Sequence, residues 1–227
     1  MIGIIGAMDI EVEGLCAKLD GAVRETVGGL TFHTGTLHGK AVVIARCGIG
    51  KVFAAMCAQT MILRYQPECI INTGVAGALT EDLHIADIVI GRAAVQHDMD
   101  TSPLGDPVGF ISGLDVIEMP ADAPLGKRLA KAAARIGART RCGNIATGDR
   151  FVADPAEKAA LARNFDAIAC EMEGGAIAQV CTVNRTPFAL LRAISDGTGD
   201  AAMDYTTFAK LAAEQSVKLM CDFLAAE

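Results

Sequence analysis

The chain has 227 residues, of which 52% are hydrophobic, and its formal net charge at neutral pH is -7. This length and composition allow one sizeable buried core, so we expect a single domain over residues 1–227. The acidic balance, without any run of Lys or Arg, excludes a nucleic-acid-binding surface, because such surfaces neutralise phosphates with clustered cations.

The first third of the chain alternates between strand-like and helix-like patterns. The apolar run Ile2–Gly6 predicts a buried strand; it is too short to cross a membrane and lacks the charged leader of a signal peptide. A helix is predicted over Asp9–Leu19, with acidic residues in its first turn, where the helix dipole favours them. Alternation around His38-Gly39 predicts a hairpin over Leu30–Arg46, and helical spacing predicts a helix over Lys51–Tyr65.

The middle of the chain contains a glycine-rich strand end and a long loop. Cys69–Thr73 predicts a short buried strand that runs into Gly74–Gly77, where small residues let a ligand approach the backbone. Ile88–Val95 predicts another strand. The segment Asp98–Pro120 is rich in Pro, Gly and Asp and predicts a loop of a length that is commonly functional.

The rest of the chain continues the alternation. Strands are predicted at 142–146, 167–171 and 188–193, and helices at 125–136, after Asp154-Pro155, at 175–183 and at 205–224. This order predicts the α/β class, with a single-domain mixed β-sheet flanked by helices on both faces.

Eight cysteines are spread along the chain without a Cys-x-x-Cys pair or a Cys/His cluster. This pattern argues against a metal site and favours reduced, mostly buried thiols in the cytoplasm. Two glycine-containing segments do not match cofactor motifs either. Gly3–Gly6 lacks the dinucleotide fingerprint, and Gly74–Gly77 is not followed by the Gly-Lys-Ser/Thr of a phosphate-binding loop, so no cofactor is predicted.

Three acidic segments follow or close predicted strands and are the strongest functional signal. They contain Glu11, the pair Glu171 and Glu173, and Asp196. Carboxylates at strand ends of α/β proteins usually face a ligand crevice, because burying them unpaired is costly. Cleavage of a glycosidic bond uses such groups, one as an acid and one to position the nucleophile. We therefore expect the three segments to form one site.

Each of these residues also has a structural explanation. Glu11 suits a helix start, and Ser195-Asp196-Gly197 suits a turn. Alternation places Glu171 and Glu173 on one face, and one of the two can be structural. Arg192 follows an apolar run, so we expect it to pair with a buried carboxylate.

Six ordered motifs resemble those of the 5'-methylthioadenosine/S-adenosylhomocysteine nucleosidases, in the purine nucleoside phosphorylase-like superfamily. The motifs are Gly3–Met8 with Glu11, Gly48–Val52, Ile71–Gly77, Thr147–Phe151, Glu171–Gly174 and Arg192–Asp196. The resemblance runs from Ile2 to the last helix. It implies hydrolysis of the N-glycosidic bond of 5'-thio-substituted adenosines to adenine and a 5-thioribose, in methionine salvage, without metal or organic cofactor.

The resemblance also implies roles for individual residues. Asp196 would protonate adenine N7, Glu11 would hold and activate the attacking water, and Glu173 would accept hydrogen bonds from the ribose hydroxyls. Phe151 would stack on adenine, and the backbone of Val152 would contact the edge of the base. The remaining expected pocket residues are Met172 against the sugar, Tyr205 at the 5' group, and Met8, Ile49, Gly77, Ser195 and Arg192 along the walls.

The resemblance further implies a homodimer in which the loop 101–112 closes the neighbouring 5' subsite. Three positions differ from the family pattern: Val75 stands where some relatives carry Ser, Leu104 where an aromatic residue is expected, and Gly197–Gly199 is rich in glycine. Val75 removes a possible hydroxyl partner for Glu173 or Arg192, the glycines favour a more flexible loop around the acid, and Leu104 affects the expected breadth of accepted 5' groups.

Three alternative functions stay open at this point. One is a phosphate-dependent nucleoside phosphorylase, which would need cations on the nucleophile side, where only Arg46 and Arg192 are candidates. Another is a nucleosidase for a futalosine-type intermediate such as aminodeoxyfutalosine. The third is a non-catalytic nucleoside-binding protein on the same fold.

Overall fold

One mixed sheet of ten strands organises the fold of the computed structural model, which describes residues 1–199 and 201–226. The strands are β1 (Ile2–Gly6), β2 (Asp20–Val27), β3 (Leu30–Leu37), β4 (Lys40–Arg46), β5 (Cys69–Ala78), β6 (Ile88–Gln96), β7 (Met119–Pro120), β8 (Thr140–Thr147), β9 (Ala167–Glu171) and β10 (Phe188–Asp196). The mixed sheet and the α/β class predicted from the sequence are confirmed.

In the described part of the chain, six α-helices cover the sheet. They are α1 (Asp9–Cys16), α2 (Lys51–Tyr65), α3 (Ala123–Arg135), α4 (Pro155–Phe165), α5 (Gly174–Asn184) and α6 (Ala201–Ala225). Helices α2 and α5 contact each other, whereas α1 and α3 both contact α6. Two large apolar clusters result, one containing residues of α2 and α5 and the other residues of α1, α3 and α6. Among the described residues, no helix is both long and apolar enough to cross a membrane.

Five strands of the sheet form a closed ring. β5 pairs with β10 in parallel and, at its last residues, with β9 in antiparallel fashion. The ring then runs from β9 through β8 and β6 back to β10. The strands β1, β4, β3 and β2 extend the sheet from β5 in that order. Closure of the ring brings the ends of β5, β9 and β10 together.

The structure corrects several predicted bounds. Helix α1 ends at Cys16 rather than Leu19, and the residues that follow turn into β2, a strand that the sequence did not predict. Most of β2 is exposed, so it has none of the apolar alternation that marks a half-buried strand. The loop predicted over Asp98–Pro120 contains a short 3-10 turn, Ser102–Leu104, and the two residues of β7.

Other predicted elements are confirmed with small changes. The hairpin turns at His38-Gly39, where both residues have positive φ, as two-residue hairpin turns require. Strands β5 and β10 are longer than predicted, because β5 continues to Ala78 and β10 to Asp196. The glycine-rich segment and the acid therefore belong to the sheet itself rather than to loops after it.

Helix α6 offers a test of the core packing. Leu219 is completely buried, whereas Leu211 on the same helix is 51% exposed. Leu219→Ala should lower the free energy of unfolding by about 2–5 kcal/mol, because it removes buried methyl groups and leaves a cavity. Leu211→Ala should change it by less than about 1 kcal/mol. Urea unfolding of both variants checks the difference, and equal losses would contradict the position of α6.

Candidate active site

Three strands meet at Gly77. This residue lies opposite Asp196 of β10 and opposite Cys170 of β9. The pairing of β10 with β5 shifts register between Ile194 and Asp196, so Ser195 is the extra residue of a bulge. Bulges redirect side chains, and this one lies at the predicted acid. A Cβ at position 77 would lie 2.5 Å from the Asp196 Oδ2 atom, so only glycine leaves room for that carboxyl group.

Glu11 is a buried carboxyl group held by backbone amides. Its Oε2 atom accepts hydrogen bonds from the N–H groups of Ala7 (2.7 Å) and Met8 (2.9 Å), and its Oε1 atom accepts one from Val75 (3.0 Å). Glu11 also lies in the first turn of α1, where its side chain accepts the hydrogen bond from the backbone of the N-cap residue Met8. The structural role predicted for it at the helix start is therefore confirmed. Burial raises its pKa above the ordinary value, although the amides and the Arg192 charge oppose the shift.

Glu171, in the cavity wall, and Arg192, behind it, form a buried ion pair. The Arg192 Nη2 atom donates to the Glu171 Oε2 atom at 2.5 Å and also to the side chain of Asn72. The Thr147 hydroxyl donates to Glu171 as well. Burial alone would raise the pKa of Glu171, but the Arg192 charge and the hydrogen bonds hold it below the ordinary value. The expectation that Arg192 pairs with a buried carboxylate is confirmed.

No cationic side chain among the residues that the structure describes pairs with Glu173. Its Oε1 atom accepts a hydrogen bond from the Gly50 N–H group at 2.8 Å, and its own N–H donates to Glu171. Burial and the neighbouring charge of Glu171 raise the pKa of Glu173 to about 8. These two neighbouring acidic residues therefore have different environments. The partners of Glu171 lower its pKa, whereas the pKa of Glu173 is raised.

Asp196 is fixed by two side chains. Its Oδ1 atom accepts a hydrogen bond from the Ser195 hydroxyl at 2.9 Å, and its Oδ2 atom contacts the Lys158 Nζ atom at 2.7 Å. Lys158 belongs to α4 and is completely buried. Lys158 was not among the residues predicted from the sequence. The sequence does contain an indication that Lys158 is buried. Lys158 has helical spacing with Leu161 and Phe165, which places it with them on the inner face of α4.

A cavity of about 280 Å³ joins most of the predicted residues. The lining includes Met8, Glu11, Ile49, Gly77, Phe151, Met172, Glu173, Ser195, Asp196 and Tyr205, together with Ala7, Val75, Ala76, Cys170 and Glu171. The mouth is partly closed by Phe151 and Tyr205, whose rings meet edge to face at 5.4 Å.

Two predicted residues lie outside this lining. Val152 lines a smaller cavity of about 30 Å³ that shares Phe151 and Asp196 with the larger one. Arg192 lies behind the wall, and its guanidinium contacts Glu171 and Asn72 rather than the open space. Arg192 can therefore affect the cavity only indirectly, by holding Glu171 and lowering its pKa.

Comparisons with known proteins agree with this geometry. The family model described as the phosphorylase superfamily matches residues 1–225. The 5'-methylthioadenosine/S-adenosylhomocysteine nucleosidase of Shewanella sp. (strain W3-18-1) is 41% identical over 210 residues, which cover 91% of this chain and 90% of that protein.

Solved structures give the same result. The 5'-methylthioadenosine/S-adenosylhomocysteine nucleosidase of Neisseria meningitidis, in complex with methylthio-immucillin-A, is similar with a TM-score of 0.95 and 34% identity, covering 100% of this chain and 99% of that one. The futalosine hydrolase of Helicobacter pylori strain 26695 is similar with a TM-score of 0.94 and 33% identity, covering 100% and 97%. The chain therefore belongs to the phosphorylase superfamily and, within it, to the 5'-methylthioadenosine/S-adenosylhomocysteine nucleosidases, which are N-glycosyl hydrolases.

Proposed function

We propose that this enzyme hydrolyses the N-glycosidic bond of 5'-methylthioadenosine and S-adenosylhomocysteine, releasing adenine and the 5-thioribose product. The observation that carries the proposal is the convergence of Glu11, Glu173 and Asp196 on one cavity. The size of this cavity is close to that of ordinary small-ligand sites, which start near 300 Å³. The names of the similar proteins support the same substrates.

Asp196 is the proposed general acid. It lines both the main cavity and the small one beside Phe151 and Val152, where a flat purine would stack on the Phe151 ring. Protonation of adenine N7 withdraws electrons from the glycosidic bond and lowers the barrier to its cleavage. The Val152 backbone would contact the edge of the base.

Glu11 is the proposed base for the attacking water. Three backbone amides fix its carboxyl group, and its raised pKa makes it a better proton acceptor than an exposed carboxylate. As the bond to adenine breaks, positive charge develops on the sugar. Carboxylates that line the cavity stabilise that charge without reorganising.

Glu173 and the apolar wall would hold the rest of the substrate. Glu173 would accept hydrogen bonds from the ribose hydroxyls, with Met172 packed against the sugar. The wall beyond it contains Met8, Ile49 and Tyr205, and the Tyr205 hydroxyl contacts the Met8 sulfur at 3.2 Å. A thioether substituent suits such a surface.

The charges of the cavity favour water over phosphate as the nucleophile. Its lining contains four carboxyl groups and, as far as the described residues go, no cationic side chain. Of the two candidate cations, Arg46 pairs with Asp9 at the surface and Arg192 pairs with Glu171. An anionic nucleophile would be repelled. A non-catalytic binding protein would not need this set of carboxyl groups.

The proposal includes a cytoplasmic location, in methionine salvage. All eight cysteines are free thiols, four of them buried, which suits a reducing compartment.

We also propose a homodimer whose interface lies beside the cavity mouth. Val52, Phe53 and Met56 form an exposed apolar face at the start of α2, and Ile49, which lines the cavity, continues it. Contiguous exposed apolar surface of this kind marks an interaction site. Leu104 is 83% exposed on the loop 101–112 and is absent from the cavity lining, so it is free to close the cavity of a partner.

The substrate proposal predicts adenine release from 5'-methylthioadenosine in phosphate-free buffer. Asp196→Asn and Glu11→Gln should each lower kcat about 10²–10⁴-fold, because each removes a positioned proton donor or acceptor. Chromatography of released adenine measures the rate, and circular dichroism checks folding. The exposed Glu81 provides a matched control as Glu81→Gln, which should keep the full rate.

Two results would contradict this prediction: no turnover by the unmodified enzyme, or a rate that requires phosphate. Parallel assays with S-adenosylhomocysteine, 5'-deoxyadenosine and futalosine rank the substrates, and the likeness to the futalosine hydrolase makes the last a necessary member of the series.

The dimer proposal predicts that Met56→Glu converts the protein to monomers, because it places a charge in the middle of the apolar face. Leu211→Glu, which changes an exposed apolar residue on α6, should leave the dimer intact. Sedimentation velocity distinguishes the two states. A monomeric unmodified protein, or a Met56→Glu variant that still dimerises, would rule out this interface.

The charge state of Glu173 predicts how stability depends on pH. A carboxyl group whose pKa is raised on folding stabilises the folded protein below about pH 4.5, and this stabilisation is lost as the pH rises to about 8. Between pH 5 and pH 8, the loss should reach up to about 4 kcal/mol, since each pH unit is worth about 1.4 kcal/mol.

Glu173→Gln should remove this dependence, so the variant gains stability relative to the unmodified protein as the pH rises. Urea unfolding at pH 5, 6.5 and 8 measures the effect, with Glu81→Gln as the surface control. Parallel stability curves for Glu173→Gln and the unmodified protein would show that Glu173 is ionised in the folded state.

A further inference from the structure

Lys158 is the one lysine side chain that is completely buried among the described residues, and it lies against the proposed acid. Its Nζ atom is 2.7 Å from the Asp196 Oδ2 atom and 2.5 Å from the Gly197 carbonyl oxygen. Burying an ammonium group is costly unless its partners are well placed. An apolar residue at this position on the inner face of α4 would fill the same space without that cost.

The contacts of Lys158 fix the orientation of the acid. Lys158 holds the Oδ2 atom of Asp196 and the Ser195 hydroxyl holds the Oδ1 atom, while Asp196 still lines the cavity. The space for this arrangement comes from Gly77, since a Cβ there would lie 3.2 Å from the Lys158 Nζ atom. Two donors therefore hold the carboxyl group in one position at the cavity wall.

Helix α4 connects this acid to the predicted purine-stacking segment. The chain passes from Phe151 and Val152 to Asp154, which caps α4 by accepting hydrogen bonds from Ala156 and Glu157. Lys158 follows in the first turn of the helix. One short continuous segment thus carries the ring that would contact the purine and the cation that contacts the acid.

We propose that Lys158 is a positioning residue for the departure of the base: it aims the Asp196 carboxyl group and stabilises the carboxylate formed there. This inference rests on the proposed function, in which Asp196 protonates adenine. The proton passes from the Asp196 carboxyl group to the purine nitrogen, and the electron pair of the glycosidic bond moves onto the purine. Negative charge then develops on Asp196 next to a buried cation, where electrostatic stabilisation is strong.

A comparison of two leaving groups tests the inference. Lys158→Met keeps the length of the side chain and removes the charge. On 5'-methylthioadenosine, kcat should fall about 10²-fold while KM changes less than about threefold. On the 4-nitrophenyl 5-methylthioriboside, whose nitrophenolate leaves as a stable anion without protonation, kcat should stay within about threefold. Lys127→Met, at an exposed position on α3, should change neither rate.

A merely structural role gives a different result. Equal losses on both substrates, or no loss on either, would overturn the inference. The double variant Lys158→Met/Asp196→Asn should be no slower on 5'-methylthioadenosine than Asp196→Asn alone, because Lys158 acts through Asp196; multiplied losses would overturn it as well. If Lys158→Met does not fold, Lys158→Gln, which retains a hydrogen-bond donor, is assayed with the same expectation.

The same assays separate this inference from the proposed function. A slow Asp196→Asn variant together with a fast Lys158→Met variant leaves the role of Asp196 intact and rejects that of Lys158. An Asp196→Asn variant at full rate, or an unmodified enzyme that releases no adenine, would overturn both.

Discussion

The site depends on how buried negative charge is compensated. Glu11, Glu171, Glu173 and Asp196 are all at least 92% buried around one cavity, yet within the described part of the chain only two buried cations, Arg192 and Lys158, accompany them. Arg192 pairs with Glu171 and Lys158 with Asp196. The other two carboxyl groups rely on backbone amides, and the pKa of both is raised. Two carboxyl groups thus have a cation beside them and two have only backbone amides. Four chemically similar side chains therefore lie in different electrostatic environments, as proton-transfer chemistry requires.

The fold makes this arrangement possible by joining strand ends that are distant in sequence. Closure of the ring places Gly77 between β9 and β10, so acids more than 20 residues apart share one wall. A bulge at Ser195 and the missing side chain at Gly77 then make room for Asp196. These are small irregularities in otherwise regular strands, and they occur where a side chain must be redirected rather than packed.

The sequence revealed the parts of this arrangement that leave a local pattern. Apolar runs and helical spacing predicted most strands and helices, and an arginine after an apolar run predicted its own pairing with a carboxylate. Strand β2 left no such pattern because most of its side chains are exposed. Helical spacing places Lys158 on the inner face of α4, but its pairing with Asp196 was not predictable. Lys158 lies 38 residues earlier on another element, and only the closed ring shows that α4 reaches the end of β10.

The same pairing of charges bears on the choice of nucleophile. A phosphorylase must offer cations to an incoming anion, but here Arg192 and Lys158 are engaged by Glu171 and Asp196 and do not line the cavity. Freeing Arg192 would leave the Glu171 carboxylate buried and unpaired, which is strongly unfavourable, and freeing Lys158 would remove the donor that holds Asp196. Among the described residues, the cavity lining therefore offers carboxyl groups and no cation, which favours a neutral nucleophile over an anion and suits a positively charged sugar. The same two pairs, Arg192 with Glu171 and Lys158 with Asp196, thus allow the acids to be buried and keep both cations away from the nucleophile, which favours water.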